Sequence, residues 1–119
     1  MVVTYGMGVY WAKTASKRFD GKVEIVDLRS VSPWDKELVY ERVRLHGKCL
    51  IVTEEPTGCN FAGNIAGAIQ ENCFEDLDAP VRVIGSEDMP AIPLNSTLEE
   101  TMIPNAEKVG VALSELLEY

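Results

Sequence analysis

Apolar residues recur along this chain with two periods, and the two alternate. Val2–Tyr5 is a short apolar run that reads as a strand. Val9, Ala12, Ser16 and Phe19 then follow at helical spacing, and Gly21 stops that helix. Val23–Leu28 reads as a second strand. In "SVSPWDKELVYERVRLHG", Ser32 is expected as the N-cap, Pro33 at the first helical position and Asp35 in the first turn. Leu38, Val39, Arg42 and Leu45 continue that helix, and Gly47 ends it.

Cys49–Val52 is a continuous apolar run, the signature of a strand covered on both faces. The segment Phe61–Cys73 carries Ala62, Ile65, Ala66 and Ile69 on one side, where Gly63 and Gly67 are expected to allow close helix–sheet contact. Val81–Gly85 is the fourth strand. "EDMPAIPLN" reads as a proline-rich surface loop. Ser96 and Glu99 have capping-box spacing ahead of a short helical turn that Pro104 breaks. Val109, Ala112, Leu113 and Leu116 form the apolar stripe of a last helix. Strands alternating with helices predict an α/β fold, a three-layer α/β/α sandwich around a mostly parallel sheet. With no internal linker, residues 1–119 are expected to form one domain.

Charge narrows the partners. Eleven Lys and Arg stand against 19 Asp and Glu, a net charge of −8, which argues against nucleic acid, whose phosphates need a basic stripe. The acidic balance is compatible with a basic protein partner, and equally with an ordinary acidic surface. No apolar run reaches membrane length. Cys49, Cys59 and Cys73 form no CxxC pair, and His46 is the lone histidine, so no zinc-type ligand set is available. Reduced thiols are expected, with Cys49 and Cys73 packing in the core.

Two stretches invite a chemical reading. The first is the Gly6-x-Gly8 turn after the first strand. A dinucleotide fingerprint needs a third glycine at position 11, where Trp11 stands, although Asp27 lies near the distance of the ribose-binding acid. The glycines then serve the strand-to-helix turn. The second is the set Asp27, Arg29, Glu54 and Glu55, which follows the second and third strands. In parallel sheets ligands sit beyond the strand carboxyl ends. Carboxylates with one arginine there fit a phosphoacceptor pocket, a hard-cation site or a structural ion-pair network in which Arg29 takes Asp27, Glu54 or Glu55 as partner. No lysine after a later strand completes a receiver-type site, no spacing is diagnostic of a metal, and no nucleophile elbow frames a serine.

In order along the chain, "VTYGMGVYWA", "VEIVDLRSVSPWD", "CLIVTEEPTGCNFAGNIAGAIQE", "FEDLDAPVRVIGSEDMPAIP" and "LEETMIPNAEKVGVAL" resemble the C-terminal domain of the transketolase family. Within it they resemble the beta subunits of 2-oxoacid dehydrogenase decarboxylating components. The most specific pieces are "DLRSVSPWD" and "LDAPVRVIG".

The resemblance implies a transketolase C-terminal-like fold cut from a longer chain. It implies no catalytic, cofactor or metal residue in this domain. Thiamine diphosphate and Mg2+ would belong to the parent assembly, held by an N-terminal thiamine-binding domain and an alpha subunit. The domain would then serve association with that N-terminal domain, the alpha subunit and a second beta copy. It would also dock the subunit-binding domain of an acyltransferase core. The family's docking positions match Asp78 of "LDAP" and the chain end at Tyr119; Asp78 also fits a turn-shaping role before Pro80. The implied location is the cytoplasm, or the mitochondrial matrix in a eukaryote. Other transketolase-family enzymes, and a stand-alone flavodoxin-like or receiver-like ligand-binding domain, are the competing readings.

Overall fold

The structure, a computed structural model, describes residues 1–88 and 95–119. The expected proline-rich loop falls mainly on 89–94, outside the described residues. Four strands form one sheet: β1 (Val2–Thr4), β2 (Ile25–Asp27), β3 (Leu50–Pro56) and β4 (Arg82–Ser86). Their spatial order is β2-β1-β3-β4, and every pairing is parallel. Val3 pairs with Val26 on one side and Ile51 on the other, so β1 is central.

The strand alternation sorts side chains into two cores. Val3 and Ile51 face the cluster built by Val39 and Val43 of α2 (Lys36–His46) and Ile65 and Ile69 of α3 (Phe61–Cys73). Val2, Leu50 and Val52 face Ala12 and Ala15 of α1 (Gly8–Ser16) and Val109, Leu113 and Leu116 of α5 (Ala106–Glu118). Leu50, Ile51 and Val52 are therefore all fully buried, as a strand covered on both faces must be. Burying one such side chain contributes about 1.5–3 kcal/mol. The result is the expected α/β/α arrangement.

Helix α5 is tied across the sheet by polar contacts as well. Arg18 donates to Glu107 at 2.6 Å, Arg82 to Glu115 at 2.6 Å, and Lys48 Nζ to the Leu117 carbonyl at 3.1 Å. Asn105 caps its start by accepting from the Lys108 N–H. The remaining helix, α4 (Ser96–Met102), is short.

Three local expectations are corrected. Asp35, not Ser32, is the N-cap of α2: its side chain accepts from the Leu38 N–H at 3.1 Å. Ser30 donates to the Pro33 carbonyl at 2.8 Å, which folds the Ser–Pro stretch into a turn of its own ahead of the helix. Asn95, not Ser96, caps α4, accepting from the Thr97 and Leu98 N–H groups. Gly63 and Gly67 do not bring α3 onto the sheet. Both are exposed, and a methyl group at Gly67 would meet open space. Cys49 and Cys73 are buried and Cys59 is exposed. Burial pushes the Cys49 thiol up to about 12, so it packs as an apolar group.

Candidate functional site

At the carboxyl edge of the sheet, β2 delivers Asp27. Its carboxylate accepts from Arg29 twice, from the backbone N–H at 3.3 Å and from Nε at 2.8 Å. This two-residue lock holds Arg29 at φ +60°, a conformation a side-chain-bearing residue rarely adopts. The Arg29 side chain is 86% exposed and that of Asp27 26%. An ion pair so open to solvent fixes a loop and contributes little stability.

Glu54 and Glu55 do not join this pair, contrary to the expected network, and neither makes an ion pair among the described residues. Glu55 is taken by the α3 N-terminus, where Oε2 accepts from the Phe61 N–H at 2.8 Å. A helix start carries free N–H groups and positive partial charge, which attracts a carboxylate. Asn60 completes that cap by accepting from the Gly63 N–H at 2.6 Å. Glu54 lies over Gly6 instead: a methyl group there would stand 3.2 Å from its Oε2. Tyr5 and Thr53 bridge β1 and β3 beneath, with their hydroxyl oxygens 3.0 Å apart. Burial raises the Tyr5 phenol above its ordinary value.

The Gly6-x-Gly8 turn is shaped for packing. Thr4 Oγ1 donates to the Val52 carbonyl at 2.8 Å and fills the space that a Cβ at Gly8 would need. The glycine thus brings α1 against the sheet. Among the described residues no three His, Cys, Asp or Glu side chains converge on a point.

The opposite, amino edge is where separate elements converge on a cleft. Gly47 closes α2 at φ +73°, its N–H donating to the Val43 carbonyl at 2.7 Å. The Gly47 carbonyl accepts from the Asp78 N–H at 2.7 Å, fastening the segment before β4 to the segment before β3. Beside this junction lies a cleft of about 310 Å³ lined by Gln70, Phe74, Leu77, Asp78, Pro80 and Tyr119, with Ala79 at its back. Phe74 at the end of α3 is 66% exposed and Tyr119 at the end of α5 is 71% exposed. No cation pairs with the Asp78 carboxylate among the described residues. The nearby Arg44 is engaged by Asp76 and the Asn72 carbonyl. An unpaired carboxylate flanked by exposed aromatic rings suits a cationic side chain from another protein.

The sequence pattern gave no signal for Phe74 or Gln70. Phe74 follows the last turn of α3 and faces away from the core, so helical periodicity does not mark it.

Comparison with known proteins points one way. The family described as "Transketolase, C-terminal domain" matches residues 1–109. The chain is 40% identical to the 2-oxoisovalerate dehydrogenase subunit beta of Bacillus subtilis, over 99% of this chain and 37% of that one. It is 32% identical to the acetoin:2,6-dichlorophenolindophenol oxidoreductase subunit beta of Cupriavidus necator, over 98% of this chain and 35% of that one. The chain thus spans little more than a third of the length of these curated relatives. Among solved structures it is similar to a split-gene transketolase described as an inactive beta4 tetramer. The TM-score is 0.76 at 25% identity, covering 98% of this chain and 38% of that one.

Proposed function

We propose, from the premise that this chain belongs to the transketolase C-terminal domain family, that it is the assembly domain of a 2-oxoacid dehydrogenase beta subunit and docks the acyltransferase core. The observation that carries the docking half is the cleft shared by Asp78 and Tyr119, two positions far apart in the chain that meet at one edge of the sheet. Its unpaired carboxylate and exposed rings call for a basic partner, and the net charge of −8 favours encounter with one.

In this reading the parent oxidatively decarboxylates a 2-oxoacid and passes the acyl group to lipoamide. Thiamine diphosphate with Mg2+ supplies that chemistry from the N-terminal domain and the alpha subunit, outside these residues. The domain packs against those parts and against a second beta copy. The proposed location is the cytoplasm, or the mitochondrial matrix for a eukaryotic parent; one relative is named as mitochondrial. Among the described residues no helix is long and apolar enough to cross a membrane. The similarity to a split-gene transketolase supports a second reading, a transketolase-type parent. The dehydrogenase names of the more similar chains favour the first.

The test uses the complete beta subunit with its alpha partner. Asp78→Ala and Tyr119→Ala are titrated with the acyltransferase subunit-binding domain over a range of salt concentrations. Losing one partner of a desolvated charge pair predicts roughly thirtyfold weaker binding or more for Asp78→Ala, with a shallower salt dependence. Tyr119→Ala is expected to weaken binding less, since it removes only ring contact. Unchanged affinity and salt dependence in both variants would mean that the core docks elsewhere.

A further inference from the structure

We propose that Gly47 is a positioning residue for Asp78: the bare α-carbon at the end of α2 makes the space that the Asp78 carboxylate occupies, and docking through Asp78 needs glycine there. This rests on the docking reading above. Two observations carry it. The Asp78 N–H is bonded to the Gly47 carbonyl at 2.7 Å, so the two backbones are fixed to each other. A Cβ at position 47 would overlap Asp78 Oδ2 and stand 3.0 Å from its Cγ and 3.4 Å from the Asp76 carbonyl oxygen. The Asp78 side chain is the movable partner in that collision, because its main chain is held. A methyl group at 47 therefore displaces the carboxylate from its place beside the cleft, while the backbone bond between the two segments stays available.

Electrostatics gives the arrangement a consequence. The carboxylate lies beside the C-cap of α2, the end of a helix that carries negative partial charge. A free carboxylate is repelled from such a place. The glycine space and the backbone bond hold it there, beside a helix end whose last turn also carries Arg44 and His46, so its place is set by packing rather than by charge.

Gly21 supplies the control. It has φ +76°, against +73° at Gly47, and a Cβ there would have no atom within 4 Å. Alanine at either position bears the same left-handed strain, and only alanine at 47 displaces a carboxylate. Gly47→Ala, Gly21→Ala, Asp78→Ala and the Gly47→Ala/Asp78→Ala pair are compared in the complete alpha–beta assembly. Binding of the acyltransferase subunit-binding domain and thermal midpoint are both measured.

Gly47→Ala is expected to weaken docking about tenfold or more, approaching Asp78→Ala. Gly21→Ala should lower the midpoint to a similar degree and leave docking unchanged. The double variant should dock no worse than Asp78→Ala alone, since two changes acting through one carboxylate do not add. Should Gly47→Ala fail to fold, Gly47→Asn brings the same Cβ with a residue that tolerates the left-handed region. Wild-type docking by the position-47 variant alongside weakened docking by Asp78→Ala overturns the positioning role and leaves the docking reading standing. A full additional loss in the double variant also overturns it. Wild-type docking by Asp78→Ala overturns the docking reading, and this inference with it.

Discussion

Arg42 and Glu24 meet at two points: Nη2 stands 2.7 Å from Oε1, and Nε donates to Oε2 at 3.0 Å. The same carboxylate lies 2.5 Å from His46 Nε2, so both basic side chains of this α2 face converge on the residue leading into β2. The hydrogen bond from Arg42 is the chief cause that holds the Glu24 carboxyl below its usual range. A depressed carboxylate stabilises the fold above its unfolded value of about 4.3, and that contribution is lost as pH falls through the lower folded value. Glu24→Gln is therefore expected to lower the thermal midpoint by a few degrees near neutral pH, and the gap to the parent should close in acid. Thermal melts of both proteins across the acidic range check this. A gap that persists once the carboxylate is protonated would mean that Glu24 acts through packing.

The assignment of the α2 cap separates two residues that look equally suited. Asp35 accepts from the Leu38 N–H, whereas Ser32 lies in the turn before the helix. Removing an N-cap typically costs about 1 kcal/mol. Denaturant unfolding should show a loss of about that size for Asp35→Ala and a change within about 0.5 kcal/mol for Ser32→Ala, as for a surface substitution. The reverse order would restore Ser32 as the cap.

The layered fold was legible because its signals are local and redundant. Leu50, Ile51 and Val52 form an unbroken apolar run, and burial on both faces follows from that run alone. Helix starts were less legible. Ser32–Pro33 and Asp35 both satisfy cap preferences, and the choice depends on which side chain reaches a free N–H once the loop has folded. The ion-pair set was legible only in part, because Arg29 takes Asp27, one of its three expected partners, and neither Glu54 nor Glu55. Asp27 reaches Arg29 two residues away, but the donor that claims Glu55, the Phe61 N–H, belongs to the start of the next helix. The amino-edge cleft is further still from any local pattern. Phe74, Asp78 and Tyr119 come together only because α3, the segment before β4 and α5 end at the same side of the sheet. Asp78 and Tyr119 follow from the family resemblance, whereas Phe74 and the contact of Gly47 with Asp78 are visible only in the geometry.

Gly67 sits inside α3, is exposed, and leaves open space where a side chain would begin. Glycine in a helix interior is about 0.8–1 kcal/mol less favourable than alanine. Gly67→Ala is therefore expected to stabilise the chain by about that amount, seen as a higher denaturant midpoint with an unchanged slope. A loss of stability would show that the α3 surface is packed against something at this point.

Amide hydrogen exchange reads directly whether a basic partner sits on the cleft between Asp78 and Tyr119. Exchange is measured in the complete beta subunit with its alpha partner, with and without the acyltransferase subunit-binding domain. Slowed exchange concentrated at Phe74, Leu77, Asp78 and Ala79, and in the last turn of α5, is the predicted result. Unaltered exchange at those amides, with protection appearing instead on another face such as the groove between Arg82 and Lys108, would mean that the partner docks there and not at Asp78.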